Sequence, residues 1–217
     1  MSWLLKAATS SIGKKQAMAL TGLGLCAFLV VHMSGNFLLF AGPEKFNGYA
    51  NYLEHHPLLI PAEIGLALLF LVHIVLAARV TLENRRARPV RYAVQHSEGG
   101  RSFASSTMWI SGAVTLVFLI LHLKHFKFGG EAKTANLHLL VVTTFHSVPY
   151  VVGYVAAVSI LGLHVGHGVQ SAFRTLGIDH PRFNPLIRWG SRLFGVYIAV
   201  GYASLPIWAY LATRSPA

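Results

Sequence analysis

Met18–Asn36, MALTGLGLCAFLVVHMSGN, is apolar over most of a membrane crossing and carries one histidine, His32, well inside it. A helix needs roughly 20 apolar residues, at about 1.5 Å of rise each, to span the hydrocarbon core. An ionisable side chain at that depth is costly to desolvate and normally has an assigned partner. From this stretch alone His32 reads equally well as a histidine satisfied by a neighbouring helix or as a ligand to a bound group.

The rest of the 217-residue chain has the same character. Hydrophobic residues make up 54% of it and charged residues only 12%, with a mean hydropathy of +0.54, so a soluble domain is a poor account and a polytopic membrane protein a good one. The net charge of +11 would suggest nucleic acid in a soluble chain. Here the cations cluster between apolar runs, as topology signals do, and no nucleic-acid partner is expected. The only cysteine, Cys26, lies inside the first apolar run and has no mate for a disulfide or a thiolate cluster. Any iron–sulfur chemistry therefore belongs to another subunit. The first run is too long for a signal-peptide core and no small-residue cleavage site follows it, so the first helix is expected to be retained.

Working outward, the pattern predicts an all-α fold, a single membrane domain over residues 1–217 with five spans at about 16–40, 61–81, 106–125, 148–174 and 193–212. Residues 1–15 read as an amphipathic lead-in, with Trp3 and Leu4 at the interface and Lys6, Lys14 and Lys15 on the polar side. The stretch GPEKFNGYANYLEHHP reads as a loop of turn formers and surface aromatics. Pro61 suits a first helical turn, and the serines and threonine before residue 108 can cap the third span. Residues 126–147 form the longest outer connection, part of it lying along the surface. The N-terminal segment and the second and fourth loops hold 13 Lys or Arg, among them Arg79, Arg85, Arg86, Arg88, Arg91, Arg101, Arg174, Arg182, Arg188 and Arg192. The other side holds five: Lys45, Lys124, Lys127, Lys133 and Arg214. The excess predicts a bacterial-type inner membrane protein with its N-terminus cytoplasmic and its C-terminus outside.

That orientation sorts four intramembrane histidines by depth. His32 and His122 fall towards the outer ends of outward-running helices, and His73 and His164 in the inner halves of inward-running ones. Two pairs result, each joining two helices at one level, which is what two bis-histidine haems stacked across a membrane require. Zinc or copper would want three or four ligands converging on one point, where the helices offer two per level. The second ring nitrogen of such a ligand can donate to a carbonyl one turn back, for instance that of Phe28 behind His32. Gly22, Gly24, Gly35, Gly162, Gly166 and Gly168 leave room for a flat macrocycle, although for any one of them close helix packing is the commoner role. His125 and His167 each follow a ligand candidate by three residues and are alternatives to it; the first histidine of each pair matches its partner's depth better. His55, His56, His96, His138, His146 and His180 fall in loops or at helix edges, most of them expected to be solvated.

Four motifs in order, MALTGL with HMSGN, FNGYANYLEHHP with EIGL, His73 and NRRARPVRY, TMWISG with HLKHF, and HVGHGVQSAFRTLG, resemble the single-subunit cytochrome b anchor of succinate dehydrogenases and quinol:fumarate reductases. The likeness runs from about residue 14 to about residue 200. It implies five transmembrane helices enclosing two b haems, and flavoprotein and iron–sulfur partner subunits on the cytoplasmic face, in a complex that can form a higher oligomer. By the same resemblance His73 and His164 ligate the haem nearer the iron–sulfur subunit and His32 and His122 the distal one, with Arg174 contacting a propionate and Arg79 a second candidate. An acidic residue found in some diheme fumarate reductases two positions before the fourth ligand is Gly162 here, which leaves that proton route unsupported. An arginine common before the third span is replaced by Ser106.

Quinone chemistry needs a hydrogen-bonding or titratable group near a haem edge. Glu63, the one carboxylate expected within a span, is the candidate, with Asn36, Tyr49 and His56 as companions; a snorkelling residue at a positive helix end is the plainer reading of Glu63. The expected function is electron transfer between the iron–sulfur subunit and a quinone, expected to be menaquinone, in a succinate:quinone oxidoreductase whose succinate chemistry lies on a partner. Alternatives are the diheme anchor of a hydrogenase or formate dehydrogenase, and a haem-free transporter or assembly protein.

Overall fold

The computed structural model describes residues 6, 9–87, 106–129 and 136–212. Trp3, Leu4, Arg88, Arg91, His96, Arg101, Lys133 and Arg214 lie outside the described residues. Helix α1 is Ser11–Asn36, prolonged by a 3-10 turn over Phe37–Ala41; α2 is Pro43–Glu54 and α3 Leu59–Arg86. Helix α4, Met108–His122, continues into a π turn over Leu123–Lys127, followed by α5, Leu137–Thr144, α6, Val148–Thr175, and α7, Asn184–Ala212. Five of these, α1, α3, α4, α6 and α7, are long and apolar enough to cross a membrane. Helices satisfy their own backbone polar groups, which is the condition for sitting in hydrocarbon.

The boundaries depart from the sequence reading in three places. Residues 43–54, expected as loop, form α2: Pro43 takes the first turn, where its missing N–H costs nothing, after Gly42 turns the chain at φ 95°. Helix α7 starts at Asn184, so Arg188 and Arg192 stand on its first turns and not in a loop; the Arg192 guanidinium lies 5.5 Å from the Trp189 ring centre. Helices α1 and α3 run past their expected ends, α1 beginning at Ser11 and α3 reaching Arg86. Ser10 caps α1 by accepting from the Gly13 N–H at 3.0 Å, while Thr107 stands at the cap of α4 without making a capping hydrogen bond.

Four of the long helices make a square. Helix α1 packs on α3 and α6, and α6 packs on α4, while α3 and α4 share no extensive interface. That fourth side is joined at its ends. Glu63 at the start of α3 pairs with Lys127 at the end of α4, and Arg85 at the end of α3 lies 4.8 Å from the Trp109 ring centre at the start of α4. A third tie, Lys14–Glu83, joins the start of α1 to the end of α3. Successive long helices therefore run in alternating directions.

Helix α7 lies outside the square along α6. Gly195 meets Gly162 and Gly166 so closely that a Cβ on Gly195 would stand 2.5 Å from the Gly162 carbonyl oxygen. The core follows this seam: Met33 and Ile198, both fully buried, pack with Leu161 and Val165. Ile64, Leu68, Leu71 and Val75 form an exposed apolar stripe on α3, the surface a lipid-facing helix presents.

Candidate functional site

Each diagonal of the square carries a histidine pair. His73 of α3 and His164 of α6 share the level near the start of α1, within electrostatic reach of one another. The His73 Nδ1 lies 3.2 Å from Thr21 Oγ1 of α1, and Gly22 gives its ring room: a Cβ there would stand 3.1 Å from His73 Cε1. His164 is held the same way from α4, with Nδ1 3.1 Å from Ser111 Oγ and Cε1 3.3 Å from where a Cβ on Gly112 would be.

At the opposite level His32 of α1 and His122 of α4 meet directly, their ring centres 6.0 Å apart and their planes nearly perpendicular at 85°. Phe28 stacks on His32 at 5.2 Å, and both His32 ring nitrogens lie 3.4 Å from the Asn36 amide nitrogen, which also donates to the His32 carbonyl at 2.7 Å. Tyr202 closes the other side of His32 at 6.1 Å and donates to the Leu29 carbonyl. The Nδ1 of His122 is buried with no hydrogen-bond partner. An orphaned buried nitrogen beside a second imidazole is a costly arrangement for a protein to keep without a use.

The geometry suits a two-ligand site. Imidazoles bound to one metal from opposite sides, with nitrogen–metal bonds of about 2.0–2.1 Å, bring their ring centres to about 6 Å, the separation of His32 and His122. Among the described residues no three His, Cys, Asp or Glu converge on one point. The spacing of this pair fits a group held by one histidine from each side.

The other candidates fall in several places. His125 is turned from His122's partner towards Tyr154, whose hydroxyl is 3.1 Å from its Nδ1. His167 is half-buried with Arg174 in electrostatic reach, while Arg174 and Arg79 are both exposed. Tyr49 packs edge-on where Gly35 has no side chain, next to Asn36, so these two stand at the turn after His32. Glu63 faces Lys127, and His56 accepts from the Leu58 N–H in its own turn. Of the glycines expected to clear space, Gly24, Gly35, Gly162 and Gly166 instead receive Leu69, Tyr49 or the α7 backbone; Gly168 faces open space, and only Gly22 lies against a paired histidine.

Sequence reasoning missed three features. Gly112 was not among the glycines singled out, nor were Thr21 and Ser111, though each hydroxyl directly precedes a glycine in the motifs MALTGL and TMWISG. It missed the aromatic residues Phe118, Phe126, Tyr150 and Tyr154 around His122 and His125, of which Phe118, Tyr150 and Tyr154 line an open groove between α4 and α6. His138, expected to be solvated, has its Nε2 buried and its ring against Phe46.

Fold and site together define a class: a helical bundle with five helices able to cross a membrane and two histidine pairs set across its interior. Comparison of the chain with protein-family models, with curated proteins and with solved structures finds no match in any of the three.

Proposed function

We propose that the chain is the membrane anchor and electron-transfer subunit of a succinate:quinone oxidoreductase, lying in a bacterial-type inner membrane with its N-terminus in the cytoplasm. The observation that carries this reading is the crossing of the two histidine pairs: one diagonal of the square at each of two levels. His73 with His164 would hold one b haem and His32 with His122 the other; bound there, the haems supply one-electron carriage between the two faces. The protein's own part is to fix these rings. Met33 and Ile198 pack the α1–α6–α7 side to full burial and keep water from it, and the glycine seam of α6 and α7 holds His164's helix in register. Flavoprotein and iron–sulfur subunits would dock on the face bearing Arg85, Arg86 and Arg174, and Arg174 would meet a propionate there.

Quinone, menaquinone in this reading, would be handled at the other face. Asn36 and Tyr49 stand beside His32's helical turn there, with Glu63 and His56 on the same face as further proton-bearing groups. The test is purification from membranes with native partners, followed by a reduced-minus-oxidised spectrum and determination of covalent flavin. Two b haems per chain with a flavoprotein are expected. A preparation without b-type bands overturns the proposal, and a partner bearing nickel or molybdenum reassigns the anchor to another respiratory complex.

A further inference from the structure

The two histidines at the α1-start level share a setting that the other two lack. Thr21 Oγ1 is 2.9 Å from the Ala17 carbonyl and 3.0 Å from the Met18 carbonyl, both closer than His73 Nδ1 at 3.2 Å. Ser111 Oγ is 3.0 Å from the Met108 carbonyl and 3.1 Å from His164 Nδ1. A hydroxyl has one proton, and carbonyl oxygens only accept. With that proton on the helix carbonyl, each hydroxyl offers the ring nitrogen a lone pair and nothing else. The residue after each hydroxyl is a glycine whose missing side chain lets the ring approach. The arrangement is thus repeated on two helices as Met-x-x-Thr-Gly and Met-x-x-Ser-Gly, residues 18–22 and 108–112.

We infer that Thr21 and Ser111 are positioning residues that hold His73 and His164 as their Nδ1–H tautomers, so that each ring presents a bare Nε2 as a ligand. This rests on the haem reading only for what Nε2 binds; the tautomer is a property of the chain itself. The His32–His122 level has no such device: there an amide nitrogen faces His32 and the His122 Nδ1 is unpartnered. The inner pair is preset by its neighbours, and the outer pair is left to be ordered by what it binds.

The experiment compares the full-length chain as purified with T21V, S111A and the conservative T21S and S111T, using histidine-labelled nitrogen NMR of the ring N–H groups and retention of haem against excess apomyoglobin. The expected ring protons of His73 and His164 are on Nδ1; T21V shifts only the first signal, S111A only the second, and T21S and S111T restore them. Each of T21V and S111A weakens haem retention about 10–100-fold at one level and leaves the other unchanged. A proton on Nε2 in the wild-type chain, signals unmoved by T21V and S111A, or wild-type haem retention in both overturns the inference. A chain that binds no b haem sinks the proposed function, and the ring-proton signals alone then decide this inference.

Discussion

His122 is the residue whose surroundings constrain the bundle most, because its Nδ1 has lost water and gained no protein partner while a second imidazole stands 6.0 Å away. If the paired rings act as ligands, replacing His32 or His122 with Ala removes one b-type component from the reduced-minus-oxidised spectrum, and replacing His73 or His164 removes the other. Loss of one and the same component from a ligand on each level would refute the pairing. The glycines beside the inner rings make a steric counterpart. Gly22→Val and Gly112→Val would each push a branched side chain into an imidazole edge that already sits 3.1 or 3.3 Å from a Cβ position. Such overpacking costs about 1–3 kcal/mol and is expected to disturb the inner component alone, read as a lowered thermal midpoint together with a broadened inner band. Four histidines were legible in the sequence because an ionisable group in an apolar run stands out. Thr21 and Ser111 were not, since a hydroxyl in a membrane helix can satisfy itself on its own backbone and needs no partner to be explained.

The elements differ in how they are held, and two predictions follow from the difference. Along α6 and α7 the backbones touch, so even Gly195→Ala must part them and Gly195→Leu must part them further. Thermal unfolding in detergent is expected to show a graded loss, about 1–3 kcal/mol or more for the leucine variant, with Leu193, already exposed on the outer side of α7, tolerating change to alanine. The short helices rely on a polar clasp. Asn47 of α2 donates to Asn136 Oδ1 and accepts from the His138 N–H, both at 2.9 Å, and Asn136 also caps α5 by accepting from Leu139 N–H. Burial holds His138 below its ordinary value of 6.5. Below that value the unfolded chain binds more protons than the folded one, so the stability that neutral His138 contributes beside the clasp is fully present above pH 6.5 and is lost as the pH falls beneath it. The protection factors of the Leu137–Thr144 amides, taken against the intrinsic exchange rate at each pH, should fall between pH 7.5 and 5.5, and His138→Gln should remove that dependence. The long helices were legible because twenty apolar residues in a row have few alternatives. Helix α2 was not: its mix of Pro43, Gly48, Asn47 and Asn51 reads as turn chemistry, and its helix is fixed by the packing of Phe46 and by the Asn47 clasp, whose partners lie 89 and 91 positions away.

At the scale of the whole molecule the sequence predicted five alternating spans and two histidine levels, and the structure adds how the spans are arranged: α1, α3, α4 and α6 make the square and α7 braces it from outside. The open side between α3 and α4 was beyond any reading of periodicity, because it depends on which helices leave a gap and not on which residues are apolar. Its two ties are at opposite ends, and both pair residues more than 20 positions apart, Glu63 with Lys127 and Arg85 with Trp109. The square therefore has a defined top and bottom. Among the described residues ten Lys or Arg stand at the α1-start end against three at the other, a bias that predicts the α1-start end to be cytoplasmic. Cys26 makes this testable without background, since it is the only cysteine and lies within α1. In a Cys26→Ser chain, single cysteines at Glu54, Leu58 and Phe128 should react with a membrane-impermeant maleimide added to intact cells, and cysteines at Arg86, Gly177 and Phe183 only after permeabilisation. The reverse pattern would turn the chain over. It would put His73 and His164 at the far side from any cytoplasmic iron–sulfur partner, and the proposed path of electrons would fail with it.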